Sequence, residues 1–219
     1  MTRDDVLEKA IPAMLSLGAE SSWSAIRLKD IADKADLNIA DFHGVADTAD
    51  LSAEIETHFD KAMTEGAFDA DESPRTRLFD VIMMRFEAME DARHGALSYL
   101  KWRDSTLTGL KTRAMGRVAT ARWALACTSL DGEKAIPRPL QIMALARTIT
   151  LAEQAWKQDT SPDLTRTMAA LDAHLLKLES RAEWLTKRKV SPKQDDHQAG
   201  TQDPLGPNKA TSSEHEGHP

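Results

Sequence analysis

The chain is predicted to be all-α, a small three-helix head followed by a larger helical bundle. Three observations lead there. Apolar residues recur at helical spacing almost throughout, with no sustained period-two alternation and no Asn-Gly or Asp-Gly turn between strand-like runs. Residues 28–42 read as helix, short turn, helix. The charge changes sign near residue 72, where Asp69-Ala70-Asp71-Glu72-Ser73-Pro74 marks a junction before a new helix.

Val6, Ala10, Ala13/Met14 and Leu17 form the first apolar stripe. Gly18 is placed to end it, and Pro12 either kinks that helix or opens it. Leu28, Ile31, Ala32 and Ala35 share the next face. Asp36-Leu37 is a tight turn, because Asp tolerates the left-handed conformation better than most residues. Asn38 then caps a short third helix, Asp41 completes a capping box, and Ile39 and Phe42 are expected to point inward.

Leu51, Ile55, Phe59 (or His58), Ala62 and Met63 make a fourth stripe over 51–68. Ser73 caps and Pro74 opens a long helix lined by Leu78, Ile82, Phe86 and Met89. A helix or a pair of helices covers 93–129. Two regular stripes follow. One carries Ile142, Leu145, Ile149, Ala152 and Trp156. The other, after Thr160-Ser161-Pro162-Asp163, carries Leu164, Met168, Leu171, Leu175 and Leu178. These stripes fit a plain core or a homodimer interface. The interface candidates are Leu145, Ile149, Trp156, Leu164, Met168, Leu171 and Leu175.

The expected organisation is a helix-turn-helix domain over 1–66, a ligand-binding and dimerisation body over 73–190, and a disordered tail over 191–219. The tail has four prolines, three glycines and Leu205 as its only large apolar residue. Its histidines, His197, His215 and His218, match no closed metal site, so neither metal nor cofactor is expected. Residues 1–72 hold 6 Lys/Arg against 17 Asp/Glu, whereas 73–190 hold 20 against 13. The overall charge of −7 speaks against a generally basic nucleic-acid binder. The lone cysteine, Cys127, excludes a disulfide framework and fits a reducing compartment. No signal core opens the chain, and no apolar run approaches the roughly 18 residues that span a bilayer, so a cytoplasmic location is expected.

Enzyme chemistry finds no support. There is no phosphate-cradling glycine loop, no His-Glu-x-x-His and no spaced Cys-His pair. The carboxylates read as exposed helical faces, and Arg113, Arg117 and Arg122 as a solvated basic strip.

The residues Gly18, Trp23, Leu28, Asp30-Ile31-Ala32, Ala35, Leu37 and Phe42 resemble the "G…W…L-x-D-I-A-x-x-A-x-L" run of the tetracycline-repressor (TetR) family. The stretch from Trp156 to Asp172 is similar both to TetR-like regulators and to the lipid-binding accessory proteins of ubiquinone biosynthesis, which share that fold. The resemblance implies a homodimeric, ligand-responsive transcriptional regulator. Its recognition helix would reach operator DNA through Asn38, Asp41, His43 and Gly44. The cations near it are Arg3, Lys9, Arg27, Lys29 and Lys34. His43 fits either a base contact or half-buried packing. Residues 36–60 contain no Lys or Arg and seven acids, which opposes the phosphate neutralisation that DNA affinity rests on.

The ubiquinone-type alternative is a lipid-binding protein that does not read DNA. Met83, Phe86, Trp102, Met115, Trp123 and Met143 would line a soft pocket for a small apolar ligand, or belong to an ordinary core. The basic, apolar run Trp184–Lys189 fits either peripheral membrane contact or a solvated helix end.

Overall fold

The computed structural model describes residues 1–65, 71–130 and 136–190, with side chains through Glu183. The tail 191–219 and its histidines lie outside the described residues, as do the side chains of Trp184–Lys189. The described elements are helical, with no strand among them.

Helix α1 (Arg3–Glu20) starts on a Thr2 capping box with Asp5. It carries Pro12 in its interior and runs two residues past Gly18. Helix α2 (Leu28–Lys34) is followed by Asp36 at φ 53°, the left-handed turn predicted there. The third helix of the head is a single 3-10 turn, Ile39–Phe42. Phe42 is buried, but Ile39 is 51% exposed, which corrects the expectation that both point inward. A four-residue turn presents too little surface to bury two large side chains on one side.

Helix α3 (Thr48–Lys61) leads out of the head and continues as a 3-10 turn to Thr64. The body comprises α4 (Pro74–Asp91), α5 (Arg93–Ser105), α6 (Leu107–Cys127), α7 (Arg138–Trp156) and α8 (Thr165–Val190). Pro74 opens α4 behind a Ser73 cap, as predicted. The span 93–129 is a pair of helices, parted at Thr106, whose hydroxyl accepts from Gly109 N–H. Helix α8 begins at Thr165, with Leu164 at φ 53°. Its first N–H groups bond to Ser161 Oγ and to Asp159 Oδ2, so the start is held from one turn upstream.

The head is seated on the body through α5. A Cβ on Gly95 would lie 2.1 Å from Leu15 O, so α1 and α5 pack backbone to backbone. Trp23 fills the adjoining space. Its ring occupies the room a Cβ on Gly18 would need, its indole N–H donates to Ser52 Oγ at 3.1 Å, and it meets Tyr99 edge-on at 5.2 Å between centroids. At the corner of α4, α5 and α7, Arg93 lies 4.9 Å over the Trp156 ring and donates to Trp156 O, while Trp156 Nε1 donates to Glu90 Oε2.

The two regular stripes of α7 and α8 face each other inside one chain. Leu145, Ile149, Trp156, Leu164, Leu171 and Leu175 are buried there and Met168 is half-buried, so these residues are core and not an exposed interface. The outward faces present Leu140, Met143 and Arg147 on α7, and Ala169, Ala173 and Leu176 on α8.

Candidate functional site

Three features of the molecule carry chemistry: the turn at 36–47, a buried ion cluster, and an apolar cavity in the body.

At the turn, Asn38 Oδ1 accepts from Ala40 N–H at 2.9 Å, and Asp41 accepts from Asn38 N–H at 3.0 Å. Asp47 and Asp50 cap the start of α3 reciprocally. Asp30 makes one half of such a cap at α2, accepting from Arg27 N–H at 3.2 Å. Part of the acidity of the head therefore has a local cause: Asp30, Asp41, Asp47 and Asp50 stand in the caps or first turns of short helices, where a carboxylate accepts N–H groups and complements the helix dipole. Free positive charge is scarce there as well. Arg27 bridges to Asp30 at 2.8 Å, Lys29 to Asp33 at 2.9 Å and Lys34 to Glu20 at 3.5 Å. Among the candidate DNA contacts, Asn38 and Asp41 are committed to capping. His43 and Gly44 (φ 72°) are exposed and stand beside exposed Ile39 and Ala40.

The ion cluster lies where α3 enters the body. Glu56 pairs with Arg85, accepts from Arg103 Nη1 at 2.5 Å and from Tyr99 OH at 3.3 Å, and lies 3.4 Å from Arg117 Nη1. Asp60 accepts from Arg85 Nε at 2.7 Å and Thr120 Oγ1 at 2.8 Å. Glu153 of α7 accepts from Arg103 Nη2 at 2.6 Å and pairs with Arg117. Three arginines thus meet three carboxylates, and their formal charges cancel. Burial pushes the Glu56 carboxyl up, but Arg117, Arg85 and Arg103 outweigh it and hold it down at about 2. Burial brings Arg117 down to about 9 against the attraction of Glu56, so it stays charged at neutral pH. Burial also raises Asp60, with Arg85 opposing.

Sequence reasoning placed these carboxylates on exposed faces and Arg117 in a solvated strip. The structure corrects both. Arg117 is buried, Arg113 is half-buried 3.5 Å from Asp104, and only Arg122 of the three is exposed. One signal was available: Glu56 and Asp60 stand four apart, each directly beside a residue of the buried stripe, Ile55 and Phe59.

The cavity measures about 720 Å³. Its apolar wall includes Leu78 of α4, Leu125 and Leu130 at the end of α6, Leu140 and Leu145 of α7, and Leu175 and Leu178 of α8. Arg75, Gln141, Glu179, Arg181 and Glu183 stand among them, and Arg75 is bonded to Asp172. None of the six residues expected to line a pocket lines this cavity. Met83 and Phe86 are core, Trp102 packs half-buried beside Trp23, and Met115, Trp123 and Met143 are exposed. Leucines of α4, α7 and α8, with Leu125 and Leu130 at the end of α6, enclose the space instead. Among the described residues no group of three or more His, Cys, Asp or Glu converges to hold a metal. No described helix is long and apolar enough to cross a membrane.

No family model and no curated protein matches the chain. Solved structures do. The fold is similar to a TetR transcriptional regulator from Nitrosomonas europaea ATCC 19718, at 20% identity and a TM-score of 0.62, over 83% of this chain and 98% of that one. A TetR transcriptional regulator from Rhodococcus sp. RHA1 matches at 13% identity and a TM-score of 0.56, over 81% and 99%. A tetR-family transcriptional regulator from Streptomyces coelicolor matches at 16% identity and a TM-score of 0.56, over 86% and 89%. The chain has the all-α fold of TetR-family regulators.

Proposed function

We propose that the chain is a ligand-responsive transcriptional regulator without enzymatic activity. In this reading it docks on operator DNA as a homodimer and takes an apolar ligand in the outer cavity. The observation that carries the reading is the convergence of the cavity's helices on the head: α4, α6 and α7 wall the cavity and also supply Arg85, Arg117 and Glu153, which meet around Glu56 of α3. Ligand in the cavity then bears on the helix that carries the head.

The outward faces of α7 and α8 are the proposed dimer contact, with Leu140, Met143 and Leu176 beside Ala169 and Ala173 for close approach. At the DNA, His43 and Ile39 reach base edges, while Arg27, Lys29 and Lys34 exchange their carboxylate partners for phosphate. Anisotropy titration against genomic fragments tests the reading. Specific binding at low salt that weakens at moderate salt and changes when an apolar ligand is added supports it. Absence of specific binding at low salt ends it.

A second reading rests on a different observation. Arg27, Lys29 and Lys34 beside the turn are each paired with a carboxylate, and the recognition element is one 3-10 turn. A head so built suits a lipid-binding carrier of the same fold, comparable to the ubiquinone-biosynthesis accessory proteins. Native mass spectrometry showing a co-purifying isoprenoid or quinone, with no DNA binding, supports that reading.

A further inference from the structure

We propose that the outer face of α6 is a docking surface for an anionic lipid bilayer, independent of any DNA reading by the head. Over its 21 residues α6 contains no Asp or Glu. One face of it is mostly in solvent: exposed Leu107, Lys111, Ala114, Met115 and Arg122 fall within about a third of a turn at 100° per residue, with Val118 half-buried against the core among them. Leu107 is 88% exposed and Met115 64% exposed, large apolar side chains with nothing over them. Lys111 and Arg122 are exposed beside them, and neither forms an ion pair among the described residues, in contrast to Arg27, Lys29 and Lys34.

Exposed apolar tips interleaved with cations on one rigidly held face suit the edge of an anionic bilayer, where both kinds of side chain find partners at the same depth. The leucine and methionine enter the acyl boundary, and the cations meet lipid phosphates. The same pattern suits other occupants poorly. Duplex DNA offers nothing to Leu107 and Met115. A second copy docked symmetrically through α6 would set Lys111 and Arg122 against their own counterparts, within a body segment that already carries 20 basic and 13 acidic residues. The opposite side of α6 is anchored by Arg117 and Thr120 in the ion cluster, so the exposed face is held out without needing to fold on contact.

The test is co-sedimentation of the full chain with vesicles of phosphatidylcholine alone and of phosphatidylcholine mixed with phosphatidylglycerol. Binding to the mixed vesicles only is expected. Lys111→Ala with Arg122→Ala weakens it on the order of tenfold or more, at several-fold per cation removed. Leu107→Glu with Met115→Glu abolishes it while circular dichroism stays unchanged, and Lys177→Glu with Ser180→Glu on α8 leaves it intact. No sedimentation with either vesicle overturns the proposal, as does binding that ignores all four α6 substitutions. Should those substitutions instead alter duplex-DNA affinity or the sedimentation coefficient of the free protein, with no lipid binding, the face belongs to nucleic acid or to a second copy and the proposal fails.

Discussion

Glu56 Oε1 lies 2.5 Å from Arg103 Nη1, and both side chains are buried, so a helix leaving the head is tied to the body by a charge pair shut off from water. Removing one partner strands the other in low dielectric. Glu56→Ala is therefore expected to destabilise the fold by about 3–5 kcal/mol. Urea unfolding followed by circular dichroism measures it, and a loss below about 1 kcal/mol would show that the cluster is hydrated.

The same carboxyl sets an acid limit. Its folded value, about 2, lies below its ordinary 4.5. Between those values the unfolded chain binds a proton that the folded chain refuses. Stability is thus fully present above about pH 4.5 and is lost as the pH falls toward 2, by roughly 3 kcal/mol for this group. Asp60, raised by burial, runs the other way and offsets part of the loss. Melting temperatures across that window should fall in the native protein and fall less in Glu56→Gln.

Gly95→Ala drives a methyl into the Leu15 carbonyl, where backbone cannot yield as a side chain does. The expected cost is at least about 1–3 kcal/mol, with α1 loosened from α5. Hydrogen exchange of the α1 amides is the direct readout: protection should drop in α1 before it drops in α7.

Ala144→Trp fills the outer cavity from its α7 wall. A fluorescent apolar probe that binds the native chain is expected to lose affinity on the order of tenfold or more, with melting temperature little changed. Unaltered affinity would place the probe elsewhere.

His43→Ala should weaken operator binding without lowering the melting temperature, because the imidazole is exposed. A large fall in stability would mean that this side chain packs in the fold.

Local order was readable from the residues alone. Asp36, Asn38 and Asp41 announced the turn and its cap because those interactions span three residues or fewer. The sites were less readable, for a physical reason. Glu56, Arg85, Arg103, Arg117 and Glu153 come from five different helices, and each looks like an ordinary surface charge until the helices are assembled. The methionines and tryptophans drew attention as pocket lining by composition. The real cavity is walled by leucines from separate helical segments, such as Leu130 and Leu178, whose meeting depends on how the helices cross. The α7 and α8 stripes were periodic enough for core or interface, and only their mutual burial separates the two.

The charge cluster also limits how this protein can move. A helix sliding past its neighbour by one turn would tear an arginine from its carboxylate, so translation along the bundle is blocked. Tilting about the cluster is not. The knot of arginines then works as a fulcrum. Helices that part at the leucine-walled end would pivot on Arg85, Arg117 and Glu153, the side chains by which α4, α6 and α7 gather around Glu56.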